Sequence, residues 1–564
     1  MFSRDDLIEL QRQGVTPEAA EHQLELIRRG FPRIVLERPC TAGDGLLQLD
    51  ADGRQACLLA FDRARDEGRI SKFVPASGAA TRMFQALLSA HGSGLELTIE
   101  RLEAIAESET ADEAVDPDEA RLVSRFFRAI EEFPFTTALR DVLLPGAATD
   151  GARTLTQLVA QGRGRWILET VLREPGLGFA SLPKGLIPFH LYSDGPRTPF
   201  AEHVAESHEL LGEGGAPIRL HFTVPPGFEE RIRTHLVEAT QEFPDTTFVI
   251  DLSIQSPSTD TLAADPSGEP FRSTDGRLVF RPGGHGALLT NLGELGGDLV
   301  LVKNIDNIAR RSYRRRQHHF RKVLAGLVVR LEEQVAEWRS SLASIEQALD
   351  SAGRDAVIGD AGGSAGSGEA SRSERAGSAP DEFAARLAEI ETAYASTFCR
   401  TVPSGETGPR NRIQTLRDLL DRPIRVCGMV RNEGEPGGGP FWVRHPDGSL
   451  DIQIVELSQV DRNDPSQREA VEKATHFNPV DLTVSLRNAE GEPYELSRFV
   501  DEETGIVANK SDGGRPLSAL ELPGLWNGSM AAWNTVFLEI PIETFTPVKT
   551  ILDLQRDPHR GADA

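Results

Sequence analysis

The sequence predicts an α/β fold, and three of its stretches carry that prediction. β-Rich runs at 217–224 and 246–252 flank a helical pattern at 227–240, a βαβ rhythm that implies a parallel sheet. The apolar run Leu299-Val300-Leu301-Val302 reads as a strand that feeds directly into Lys303-Asn304-Ile305-Asp306-Asn307. Open α/β sheets gather ligand and metal groups at the carboxyl ends of their strands, which is where Asp306 falls. The third stretch, Phe73-Val74-Pro75-Ala76, is an extended apolar entry to a small-residue turn, Ser77-Gly78-Ala79-Ala80, closed by Thr81, Arg82 and Met83.

A length of 564 residues exceeds one ordinary compact domain, so a large core with insertions, or two to three units, is expected. Sixty-one Lys and Arg (61) against 86 Asp and Glu give a net charge of −25, which argues against broad binding to nucleic acid or to an anionic membrane. Cys40, Cys57, Cys399 and Cys427 lie far apart with no C-x-x-C pair, so neither a zinc site nor a disulfide framework is suggested. A reducing compartment fits that usage. The N-terminal residues lack the uninterrupted apolar run of a signal peptide and no segment approaches membrane-spanning length, so a cytoplasmic location is the expectation.

Taken in order, residues 5–30 carry helical spacing, with Thr16-Pro17-Glu18 as an N-cap followed by Pro at the first helical position and Gly30 as the stop. With the mixed stretch that follows they form an N-terminal helical extension, 1–66. The core is expected over 67–355, interrupted at 85–175 by a mostly helical insertion. A long helix over 308–350 opens with Arg310, Arg311, Arg314, Arg315, Arg316, Arg321 and Lys322, which reads as a solvated basic face. Gly, Ser and Ala dominate 360–380, so 356–380 is expected to be a flexible linker. The remainder, 381–564, reads as an α+β region, with strands at 424–430 and 452–457 and a Gly-rich loop at 434–439 between them.

Four features have the chemistry to handle a nucleoside triphosphate. Ser77, Gly78, Ala79, Ala80 and Thr81 let the backbone approach a phosphate closely, the first N–H groups of the following helix favour an anion, and Arg82 adds a charged fork. An ordinary strand-to-helix turn accounts for the same residues. Lys184 stands alone in an apolar, Pro-bracketed segment, as a phosphate ligand or as a Lys that snorkels from a strand end. Gly283, Gly284, His285 and Gly286 make a second Gly-rich turn leading into a helix. Asp306 is placed to hold a metal ion or to cap the helix that follows.

Read together, these motifs resemble those of the sugar-1-phosphate nucleotidyltransferases, especially the large UDP-sugar pyrophosphorylases. Gly78-Ala79-Ala80-Thr81-Arg82-Met83 is similar to the G-x-G-T-R-M loop of that family, and Pro183-Lys184 with Arg197-Thr198-Pro199 to its Pro-Lys segment. Pro282-Gly283-Gly284-His285-Gly286 resembles the P-x-G-H-G base-binding turn, and Asn304-Ile305-Asp306-Asn307 the metal-binding V-D-N. Ile454-Val455-Glu456-Leu457-Ser458-Gln459-Val460 is similar to the V-V-E-Y-S-E-I segment, and His476-Phe477-Asn478 to its Asn-bearing successor. Glu539-Ile540-Pro541 and Pro547-Val548-Lys549-Thr550 with Asp553-Leu554 resemble the V-P-R-S-R-F-L-P-V-K-T-x-x-D-L run. Six motifs in the order of the family cover roughly residues 70–555, and the whole chain reads as a member of a bacterial family of this type.

The resemblance implies a GT-A-like, Rossmann-like αβα sandwich around a mixed central sheet, with the helical insertion and with the C-terminal α+β region completing the catalytic core. It implies transfer of a nucleotide from a triphosphate, UTP first, to a sugar 1-phosphate. Arg82, Lys184 and Lys549 would act on the phosphates, Ser77 to Thr81 and Gly283 to Gly286 would bind the nucleotide, Glu456 and Asn478 the sugar, and Asp306 a Mg²⁺ ion. A different base, or a catalytically silent nucleotide-sugar-binding protein, are the alternatives. Three departures stand out: Ala79 and Ala80 replace glycine, the stretch between Arg82 and Lys184 is far longer than in the family, and Ala287 stands where many members carry Asp.

Overall fold

The computed structural model describes residues 2–108, 115–147, 152–360, 370–403, 408–434 and 437–563. The chain forms two compact units that alternate along the sequence. Unit 1 comprises Met1–Ser71, Ser256–Val302 and Arg321–Ile542; unit 2 comprises Lys72–Gln255, Lys303–Phe320 and Glu543–Ala564. The fold class is the expected one: mixed α/β, with a large mixed sheet and helices. Among the described residues no helix is long and apolar enough to cross a membrane.

In unit 1 the strand Ile424–Arg431 runs parallel to Asn534–Glu539 and antiparallel to Asp481–Ser485, which makes the sheet mixed. Every residue of Ile424–Val430 is buried, Arg425 included, so both faces of the strand are covered rather than one. A second, antiparallel sheet joins Val35–Pro39, Gly439–Arg444 and Leu450–Val455. The N-terminal helices are Arg4–Gln13 and Pro17–Arg29, and Thr16 caps the second by accepting from the Ala19 N–H as expected. Residues 1–66 do not stand apart as an extension. Leu10, Leu24 and Ala20 pack against Leu262, Ala264 and Leu278, and Gly45–Leu47 adds a parallel strand beside Asn534–Glu539.

In unit 2 the βαβ reading holds: Ile218–Val224 and Phe248–Ile254 are parallel along their whole length, with helix Glu229–Thr240 between them. The described residues of 85–175 are mostly helical, with six helices among them from Gln85–Gly92 to Gly164–Leu172. These helices build one apolar core whose members include Ala80, Met83, Phe84, Ile187, Ile308, Val548, Ile551 and Leu554. The insertion is thus the packing partner of three chain segments that the sequence reading links to phosphate.

Two expectations change. The long helix spans Arg311–Asp360, and its basic start is not a purely solvated face: Arg314 is fully buried between Glu202 (2.7 Å) and Glu209 (2.8 Å), and Arg321 is buried against Asp481 (3.2 Å). Buried guanidinium groups need such partners, and the partners lie far away in sequence, where charge counting along one helix does not see them. The expected linker 356–380 is helical at both ends, up to Asp360 and again from Ala370, while 361–369 lie outside the described residues. Residues 435–436 of the expected Gly-rich loop also lie outside them.

Candidate active site

Unit 2 brings Arg82, Lys184, Asp306 and Lys549 into one assembly of loops. The strand Ile70–Pro75 delivers the small-residue turn, which tightens into a 3₁₀ turn at Ala80–Arg82 before helix Gln85–Gly92. The Lys184 segment lies against this turn: the Ala80 N–H donates to the Leu182 carbonyl (3.3 Å) and the Lys184 N–H to the Gly78 carbonyl (3.3 Å). Gly78 is exposed and a Cβ there would meet nothing within 4 Å, so its outer face is open to a ligand. Ala80 is fully buried in the helical core, so its methyl group takes no room from that face. Arg82 and Thr81 are exposed.

Asp306 is the hub. The Ile305 N–H donates to the Pro75 carbonyl (3.2 Å), which seats the Asp306 turn beside the exit of the first strand. The C-terminal segment closes over it, with the Val548 N–H donating to the Asp306 carbonyl (3.1 Å), the Thr546 N–H to Asn307 Oδ1 (2.9 Å) and the Ile551 N–H to the Met83 carbonyl (3.2 Å). Asp306 Oδ2 then accepts from Lys184 Nζ at 2.7 Å and from Lys549 Nζ at 3.1 Å. Burial works to raise the Asp306 pKa, but the two ammonium groups outweigh it and hold the carboxyl below its ordinary range. Burial lowers the Lys184 pKa, with Asp306 opposing. Helix Arg311–Asp360 starts well beyond Asp306, and the carboxylate is engaged by lysines, so it is not a helix cap.

Asp306 Oδ1 is buried and has no hydrogen-bond partner among the described residues. Among the described residues no group of three or more His, Cys, Asp or Glu is arranged to hold a metal ion. One free carboxylate oxygen fits a Mg²⁺ ion whose other ligands are phosphate oxygens and water, the mode usual for that ion in nucleotide enzymes.

A buried network that motif reading missed lies behind this assembly. Glu206 on helix Pro199–Leu211 accepts from Lys72 (2.6 Å) and from Lys303 (3.0 Å), all three almost completely buried. Lys72 belongs to the strand that delivers the phosphate turn, and Lys303 ends the strand that delivers Asp306. From the same helix His203 Nε2 donates to the Ile305 carbonyl (3.2 Å), and burial together with Lys72 pushes its pKa far down, which keeps the ring neutral. The available signal was a Lys inside each of two apolar strand runs. Glu206→Gln leaves two buried ammonium groups without their shared carboxylate and is expected to cost about 3 kcal/mol of stability. Thermal melting tests it, and a variant that melts like the parent contradicts it.

Unit 1 holds the other predicted residues. In the turn Gly283–Gly286, Gly284 has φ +76°, and a Cβ at Gly286 would lie 2.1 Å from the Pro523 carbonyl oxygen, so glycine is required at both. The His285 ring stacks on Trp526 (centroids 4.2 Å apart), accepts at Nδ1 from the Leu525 N–H (2.9 Å), and places Nε2 3.5 Å from Glu456. Its ring is thus held by neighbouring groups, and the Gly283 and Gly284 carbonyls accept from the Leu522 (2.9 Å) and Ala287 (3.3 Å) N–H groups. Glu456 also accepts from Asn527 (2.9 Å), and His285 followed by Asn527 holds its pKa low. Asn478 is buried; its Oδ1 accepts from the Val480 N–H (3.0 Å), its own N–H donates to the Gly438 carbonyl (2.9 Å), and its Nδ2 has no partner. That arrangement holds Val480 at φ +57°, a costly conformation for a β-branched residue and one that accumulates at functional sites.

A family model described as a domain of unknown function, DUF4301, matches residues 3–354 and 379–560. No curated protein matches the sequence. Among solved structures, the chain is similar to the UDP-glucose pyrophosphorylase of Leishmania major, at 11% identity and TM-score 0.39, over 98% of this chain and 79% of that one. It is similar to the uridine diphosphate N-acetylglucosamine pyrophosphorylase of Trypanosoma brucei in complex with inhibitor, at 12% identity and TM-score 0.43, over 97% and 76%. A UDP-glucose phosphorylase from Trypanosoma brucei gives 12% identity and TM-score 0.40, over 98% and 80%.

Proposed function

The chain belongs to the DUF4301 family, and we propose that it is a sugar-1-phosphate nucleotidyltransferase that joins a nucleoside triphosphate, UTP by preference, to a sugar 1-phosphate with release of pyrophosphate. The observation that carries this reading is the convergence of Lys184 and Lys549, from distant parts of the chain, on the single carboxylate of Asp306 beside the Ser77–Arg82 turn. The order of the six motifs supports it.

In this reading the sugar-phosphate oxygen attacks the α-phosphorus in line, the new P–O bond forms there, and the bond to the β-phosphate oxygen breaks. The attacking oxygen is already ionised near neutral pH, so no side chain has to remove a proton. The protein contributes position and charge, as phosphoryl and nucleotidyl transfer require. Main-chain groups of Ser77 to Thr81 approach the phosphates, Arg82 pairs with them, and Lys184 and Lys549 exchange their contact with Asp306 for phosphate oxygens. Asp306 Oδ1 would hold a Mg²⁺ ion, which when bound neutralises charge on the phosphate oxygens. The resemblance assigns base recognition to Gly283, Gly284, His285 and Gly286, and sugar recognition to Glu456 and Asn478.

Incubation with each of the four nucleoside triphosphates and a panel of sugar 1-phosphates, with pyrophosphate as the readout, tests the proposal. Pyrophosphate is expected with UTP and one or more sugar 1-phosphates, and only when Mg²⁺ is supplied. Equal binding of ATP and UTP by calorimetry contradicts the uridine preference. Binding of UDP-sugar with no pyrophosphate from any pair makes the protein a binder and not an enzyme.

A further inference from the structure

Unit 1 contains two adjoining clefts that none of the residues assigned to nucleotide, sugar or metal lines. One, of about 520 Å³, has mainly apolar walls from residues such as Pro32, Ile34, Val443 and Ile454. The other, of about 850 Å³, has mixed walls, about as polar as apolar, and opens on Arg400, Thr401, Arg422 and Ser449. His445, Pro446, Asp501 and Ala531 line both, so the two are compartments of one depression.

The guanidinium groups set its character. Arg422 donates only to main-chain carbonyls, those of Asp418 (3.3 Å) and Ala532 (3.1 Å), and among the described residues no carboxylate pairs with it. Arg425, fully buried and lining neither cleft, donates to Thr535 Oγ1 (2.8 Å) and the Trp526 carbonyl (2.8 Å), and among the described residues no carboxylate pairs with it. Arg400 pairs with Asp451 (2.9 Å). That one carboxylate is already saturated by His445 (2.8 Å) and Gln453 (3.0 Å). The remaining acids are Asp447, which holds the N–H and hydroxyl of Ser449, Asp501, which accepts from the Glu503 N–H, and Glu503 itself, whose carboxylate pairs with Arg29 (2.8 Å). A half-buried guanidinium that has given up part of its hydration without gaining a counter-ion gains most from an anionic ligand.

We propose that this depression binds an organic anion with an apolar body, its carboxylate or phosphate ester on Arg422 and its hydrocarbon or aromatic part in the apolar compartment. Arg400, Arg422 and Ser449 sit near the Leu450 end of strand Leu450–Val455, whereas Glu456 follows the other end, roughly 20 Å away at about 3.3 Å per residue. The anionic end is therefore a site separate from the predicted sugar-contacting residue.

The test uses the full-length protein and 8-anilinonaphthalene-1-sulfonate, an aromatic anion that fluoresces in apolar surroundings. Saturable binding at one site per chain is expected, weakened by NaCl and reversed by phenyl phosphate. Phenol and inorganic phosphate should each displace the probe at least about tenfold more weakly, because each fills one compartment. Arg422→Met should raise the Kd about tenfold or more, the scale of one charged hydrogen bond, and Ala531→Phe, in the shared wall, should abolish binding. Thermal melts establish that both variants are folded, with Arg422→Gln in reserve. Absence of saturable binding overturns the proposal. So does displacement by inorganic phosphate as strong as by phenyl phosphate, or an unchanged Kd in either folded variant.

Discussion

Lys549→Ala is expected to lower turnover by about 10²–10³-fold while leaving the melting temperature almost unchanged. Lys549 is placed by its main chain and not by its ammonium group. Its N–H donates to Asp553 (2.8 Å), the neighbouring Val548 is fully buried in the helical core, and the Pro547 segment bridges to Asn307. The side chain itself is 58% exposed, so its ammonium group is screened by water, and Asp306 keeps Lys184 when that group is lost; little stability goes with it. Loss of a cation that meets charge developing on the leaving phosphates does cost rate on the stated scale. Steady-state kinetics and a melt on the same preparation separate the two effects. A variant with full turnover removes Lys549 from the site, and a large fall in melting temperature makes it structural.

Asp306→Asn should also abolish most turnover, but with a different stability signature. The side chains of Asp306 and Lys184 are only 11% and 14% exposed, so the substitution leaves a largely buried ammonium group without its carboxylate. A cost of about 3 kcal/mol is expected. Its pH dependence has a definite sign. The Asp306 pKa is lower in the folded protein, so the unfolded chain binds the proton more readily and the stabilisation is fully present above the ordinary carboxylate range. It is lost as pH falls below that range, and the difference in melting temperature between parent and Asp306→Asn should close on acidification. A difference that persists unchanged into acid would mean that the charge of Asp306 is not what stabilises the turn. Undiminished turnover would remove Asp306 from the chemistry.

What the sequence makes legible is local. The βαβ segment at 218–254, the cap at Thr16, and the strand that presents Asp306 all follow from periodicity and turn chemistry within short windows. The partnership of Lys184 with Asp306 and Lys549 is not local. It was reached through the order of motifs, because no spacing rule joins residues contributed by separate segments. The Lys72–Glu206–Lys303 network was missed for the same reason, since Glu206 lies on a helix far in sequence from both strands. The two compact units are also not contiguous in sequence. The chain leaves each unit and returns to it, so residues 543–564 belong with 72–255 and not with the region that precedes them. Ala80 stands where the resembled family carries glycine, and its methyl group is buried in the core built with the helices of 85–175. Only packing reveals that direction.

The central claim is that a phosphate oxygen of the sugar 1-phosphate attacks the α-phosphorus of the nucleotide at the Arg82, Lys184, Asp306 and Lys549 cluster. Sugar 1-phosphate labelled with ¹⁸O in its non-bridging phosphate oxygens tests this directly when the products are weighed by mass spectrometry. The account predicts a nucleotide sugar that retains every labelled oxygen, unlabelled pyrophosphate in equal amount, and neither product from Lys549→Ala at the parent rate. Label in the pyrophosphate, or nucleoside monophosphate formed with no sugar nucleotide, would contradict it.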